Sequence, residues 1–179
     1  QVAATGMMLA AMRTRSFVAT ITYTKIEPVL VLMFAAIFLR ELPTAWAAAG
    51  VFVTTAGVML MSWPAGDTRN GWLAATLLGL GSGVFFAISS VFYRGGILAL
   101  PEGSFVLNAS TTLVTALVFQ TLAITLYLRI FDRATLVAML GSWRASIPAG
   151  FCGALASQFW FLAFALQSAS LVRALALVE

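Results

Sequence analysis

Histidine is absent from this sequence, cysteine occurs once, and charged residues make up only 9% of it. With no His and only Cys152, a metal site of His and Cys ligands has no ligand set, and a disulfide within the chain cannot form. The six acidic residues are scattered, so the chain offers neither paired carboxylates nor a histidine base for acid–base catalysis. No GxxxxGK[ST] loop is present, which disfavours direct nucleotide drive. Ten Lys and Arg leave a formal charge of +4, yet they stand singly at the edges of apolar segments. That pattern anchors a membrane segment and does not bind nucleic acid. Neither a cofactor nor a resident metal is expected, and enzymatic activity is disfavoured.

What remains is apolar: 61% of the residues are hydrophobic and the mean hydropathy is +1.00. Such a chain needs lipid as solvent, with a small-molecule substrate as its other partner and room for a homo-oligomer. Between polar breaks the apolar runs are 2–12, 16–39, 45–63, 71–92, 104–128, 147–167 and 168–179. The second to sixth are each long enough to cross a bilayer as a helix. The first and last are too short and abut the ends of the chain. Because the chain starts at Gln1 and stops at Glu179 inside an apolar run, it is expected to be a piece of a longer protein. The break 129–148 has room for an interfacial segment, with Trp143 and Arg144 suited to the headgroup level.

The run 16–39 holds Glu27 next to Pro28 at its centre. A charge there costs roughly 2.5–3.5 kcal/mol on insertion scales, and a proline within a continuous helix strands the carbonyl of Thr24. Three-and-four spacing puts Thr20, Tyr23, Thr24 and Glu27 on one stripe, a polar wall fit for a substrate cavity. Glu27 is expected to take a substrate cation or a coupling proton. Lys25, about 200° around the helix, should not pair with it directly and is expected to meet an anionic group or an acidic partner elsewhere. Gln120, Gln158 and Trp160 are further mid-span candidates for binding, as amides and as a stacking face. Arg173 either snorkels or meets a carboxylate in the cavity. Small residues recur at Gly79, Gly83 and Ala87, at Gly50, Thr54 and Gly57, and at Ala149, Gly153 and Ser157, rows that let helix backbones approach. If the spans alternate, Arg13, Arg15, Arg69, Arg129, Arg133 and Arg144 share one side, and a positive-inside count places it in the cytoplasm.

Several of these features recur in an order that resembles the end of an EamA repeat of the drug/metabolite transporter superfamily. They are Ser16 opening a helix, Glu27-Pro28 within it, Leu39-Arg40-Glu41 at its exit, and Gly50 and Gly57-Val58 in the next span. The resemblance implies an all-α polytopic transmembrane bundle of inverted five-helix repeats in the bacterial inner membrane, with both termini cytoplasmic, the reverse of the arginine count. This chain would cover about helices 3 to 9 of 10: residues 1–63 end the first repeat, 64–71 link the repeats, and 72–179 begin the second. An offset of 152 then pairs Ser168 with Ser16 and Glu179 with Glu27. The implied activity is secondary transport of metabolites, as an exporter working by alternating access and coupled to protons. An intramembrane enzyme and a non-transporting scaffold stand as alternatives.

Overall fold

The computed structural model describes residues 1–14, 24–61, 72–100 and 103–178, and these are helical with short connections. In chain order the elements are α1 (Val2–Thr14), α2 (Glu27–Phe34) continued by a π-helical turn (Ala35–Leu39), α3 (Ala45–Met61) and α4 (Trp72–Leu98). They continue with α5 (Phe105–Phe131), α6 (Arg133–Gly141), α7 (Trp143–Leu166) and α8 (Ala169–Leu175), which ends in a 3-10 turn (Ala176–Val178). Three stretches, Thr76–Leu98, Phe105–Phe131 and Trp143–Leu166, are long and apolar enough to cross a membrane. Their outward side chains agree with that: Phe119 is 69% exposed, Phe151 67% and Phe159 64%. A water-soluble chain does not display apolar surface on that scale.

Two of the five expected spans are shorter in their described parts. The helical segments Glu27–Leu39 and Ala45–Leu60 each have fewer than 18 residues. The other three are longer than their apolar runs. α4 passes through Arg94-Gly95-Gly96, which the sequence alone reads as a break. The glycines sit inside the helix because neighbours press on them: a Cβ at Gly95 would lie 3.1 Å from Leu39 Cδ2, and one at Gly96 3.2 Å from Thr112 Cγ2.

The chain divides into two compact units, Gln1–Gly95 with Gln167–Glu179, and Gly96–Leu166. In the first unit α2, α3 and α8 contact one another, and small side chains fill the interior: Val31, Ala35, Val51, Ala87, Val91, Ala169 and Val172. α1 lies on α4, where the fully buried Ser82 donates from Oγ to the Ala4 carbonyl at 2.8 Å and the Met7 methyl covers Gly81. With no water driving helices together in lipid, such close small-residue contacts carry the association. The row Gly79, Gly83 and Ala87 is buried. By contrast, a Cβ at Gly50, Gly57 or Gly153 meets nothing within 4 Å among the described residues. On those rows Thr54 and Ser157 turn their hydroxyls to their own helix, onto the Gly50 and Gly153 carbonyls.

In the second unit α5 packs along α7 around Ala109, Leu113, Phe161 and Phe164. Ser104 caps α5 by accepting from the Leu107 N–H. Asp132 caps α6, its carboxylate taking both the N–H (3.0 Å) and the hydroxyl (2.7 Å) of Thr135. These bonds hold the Asp132 carboxyl below the usual carboxylate range. The Arg144 guanidinium lies 5.4 Å over the Trp143 ring at the start of α7.

Candidate functional site

Pro28 is not the mid-helix kink that the apolar run implies. Thr24 is helical, Lys25 and Ile26 form a turn, and α2 then begins anew with Glu27 and Pro28 as its first two residues. At that position a proline lacks an N–H that would have no intrahelical partner in any case, and its fixed φ suits the first turn. The Ile26 carbonyl accepts from both Val29 (3.1 Å) and Leu30 (3.3 Å). The break therefore converts a costly interior proline into a favourable start. It also puts the Glu27 carboxylate at a helix N-terminus, whose partial positive charge favours it. Gly83 of α4 lies beside this break: a Cβ there would meet Ile26 Cγ2 at 3.5 Å and the Thr24 carbonyl at 3.6 Å, in ordinary van der Waals contact.

Three helices converge on Glu27. Arg173 of α8 approaches side-on, its Nε 2.9 Å from Glu27 Oε1 and 3.0 Å from Ser90 Oγ of α4, to which it donates. Ser90 in turn is 3.3 Å from Glu27 Oε1 and 3.0 Å from the Phe86 carbonyl. Ser90 has one hydroxyl proton, which serves only one of those two acceptors at a time. The single Nε–H of Arg173 is likewise shared between Glu27 and Ser90. The side chains of Arg173 and Glu27 are 22% and 14% exposed, while Ser90 is fully buried. Oε1 takes all of these contacts; Oε2 receives no hydrogen bond from the described residues. Lys25 lies in the turn before α2 and forms no ion pair with Glu27 among the described residues.

The other candidates distribute differently. Thr24 is half-buried beside the break; Thr20, Tyr23 and Glu179 lie outside the described residues. Gln120, Gln158 and Trp160 belong to the second unit. There Gln158 Nε2 donates to Ser110 Oγ at 2.8 Å, tying α7 to α5, and Trp160 packs its ring 5.9 Å from that of Phe164. Sequence reasoning missed Ser90, although Ser89-Ser90 is a polar pair inside an apolar run. It also missed the ion pair between Glu41 and Arg94, whose Nη2–Oε1 distance is 2.7 Å. Its available signal was two opposite charges at helix ends on one side of alternating spans.

The cluster offers two complementary functions. A proton or cation can take the carboxylate from Arg173, and an anionic group can take the guanidinium from Glu27. Among the described residues no group of three His, Cys, Asp or Glu could hold a metal ion. Comparison with family models, with characterised proteins and with solved structures finds no match for this chain.

Proposed function

We propose that this protein is a secondary transporter of small-molecule metabolites in the bacterial inner membrane, an exporter of the EamA type coupled to protons, with Glu27 as its central binding residue. One observation carries this: within an apolar chain, a carboxylate at a helix break is held by an arginine and a serine from two other helices. Broken helices whose ends line a polar site near mid-membrane are a recurrent feature of transporters built from inverted repeats. α8, which brings Arg173, falls within the segment that the 152-residue offset pairs with the apolar run 16–39 holding Glu27, and its contact with α2 supports a site where two repeats meet. The ion pair supports exchange chemistry, because each partner serves as the other's occupant when the substrate or proton has left.

The test is solute flux in liposomes under an imposed pH gradient, comparing the protein with its Glu27→Gln variant. Loss of proton-driven flux in the variant, with the protein still folded and inserted, is the expected result. Undiminished flux at every pH would overturn the assignment of Glu27.

A further inference from the structure

We propose that Glu41 and Arg94 form the closed gate over the Glu27 site on the side where α2 ends, an inference that rests on the transport reading above. Arg94 Nε donates to both carboxylate oxygens of Glu41, at 2.7 and 2.9 Å, and Nη2 lies 2.7 Å from Oε1. The two side chains are 12% and 23% exposed. On the outward face of the same seam the exposed Phe38 and Phe92 rings are 6.0 Å apart, and Leu39 presses on Gly95. The exit of α2 is thus fastened to the last turns of α4 at neighbouring positions, by a charge-assisted lock beside the close Leu39–Gly95 contact.

Geometry places this fastening over the site. α2 and α4 run side by side in the same direction, with Ile26 against Gly83 at one end and Phe38 against Phe92 at the other. Ser90, which holds Glu27, lies one turn of α4 below Arg94, a rise of about 6 Å. Access to Glu27 from the Arg94 end therefore requires that the seam part. An ion pair near the water boundary suits that task, because the closed form gains attraction and the open form regains hydration, with a small net difference. The α2 segment that must move already carries a π-helical turn, Ala35–Leu39, and ends at Arg40 in the left-handed region with φ of 55°. Such irregular turns concentrate where helices must adjust for function.

The test is maleimide labelling of the protein in membranes, with Cys152→Ser removing the native thiol and Ala87→Cys adding a reporter. Ala87 is fully buried on α4 between Gly83 and Ser90. Arg94→Gln is expected to raise the labelling rate roughly tenfold, as when a state of a few per cent becomes a major one. The paired exchange Glu41→Arg with Arg94→Glu is expected to restore slow labelling. Unchanged labelling in Arg94→Gln, or fast labelling that the paired exchange fails to reverse, overturns the gate. Faster labelling in a protein that moves no solute leaves the gate standing and refutes the transport reading instead.

Discussion

Removing either partner of the Glu27–Arg173 pair takes the opposite charge from the other in a mostly buried place, and the size of the penalty follows from the exposures. Exposed pairs contribute about 0–1 kcal/mol, whereas breaking a fully buried pair costs about 3–5 kcal/mol. Side chains 14% and 22% exposed belong between these limits. Glu27→Gln and Arg173→Met are each expected to cost about 2 kcal/mol, and the double variant little more than either, which gives a coupling of roughly 1.5 kcal/mol. Arg173→Lys should recover less than half of that coupling despite keeping the charge. The contacts run through Nε, where lysine has a methylene; its ammonium sits one bond farther out and lacks the planar fork. Reversible unfolding in mixed micelles, followed by tryptophan fluorescence, supplies the double-mutant cycle. Additive single effects, within about 0.5 kcal/mol, would show that the two groups do not interact and remove the basis for the site.

Two further outcomes follow from single groups. Thr55 of α3 is 3% exposed, and its hydroxyl has no partner among the described residues; Thr55→Val keeps the shape and removes that cost, so it should stabilise by about 1 kcal/mol in the same unfolding assay, and a loss of stability would show that the hydroxyl is used. The Asp132 carboxyl is held below its ordinary range by Thr135, so its folded pKa lies below its unfolded one. The cap's contribution is then full above the usual carboxylate range and is lost as pH falls through the lowered value. Amide-exchange protection of residues 133–136 should decline with acid in the parent and stay flat in Asp132→Asn, which caps without titrating; identical acid responses would refute the assignment.

How much of this was legible in the sequence depends on how far apart the cooperating residues lie. Glu27 declares itself, because a mid-span carboxylate in so apolar a chain demands a reason. Arg173 could be narrowed to snorkelling or meeting a carboxylate, but choosing between them requires knowing that α8 lies on α2, a contact across 146 residues of chain. Local pattern carries no such information. Ser90 was invisible for a related reason: a serine in an apolar helix ordinarily satisfies itself on its own carbonyls, and only the approach of two other helices gives it a second use. The small-residue rows were equally ambiguous, since one is buried at Gly79 and Gly83 while another is open at Gly50 and Gly57.

The proline shows how local chemistry and the site depend on each other. In an unbroken helix Glu27 would face its neighbours from the middle of a satisfied backbone, and Pro28 would cost roughly 3 kcal/mol or more. Breaking the helix at Lys25 and Ile26 removes that cost but frees backbone groups, which lipid cannot satisfy. The break is tolerable because it packs against α4 at Gly83 and the Ile26 carbonyl is doubly bonded. The restarted helix then turns its positive end toward the carboxylate that Arg173 and Ser90 also hold. Straightening the break, or filling Gly83 with a side chain larger than that of alanine, which alone would fit, should therefore disturb Glu27 even though neither change touches its side chain.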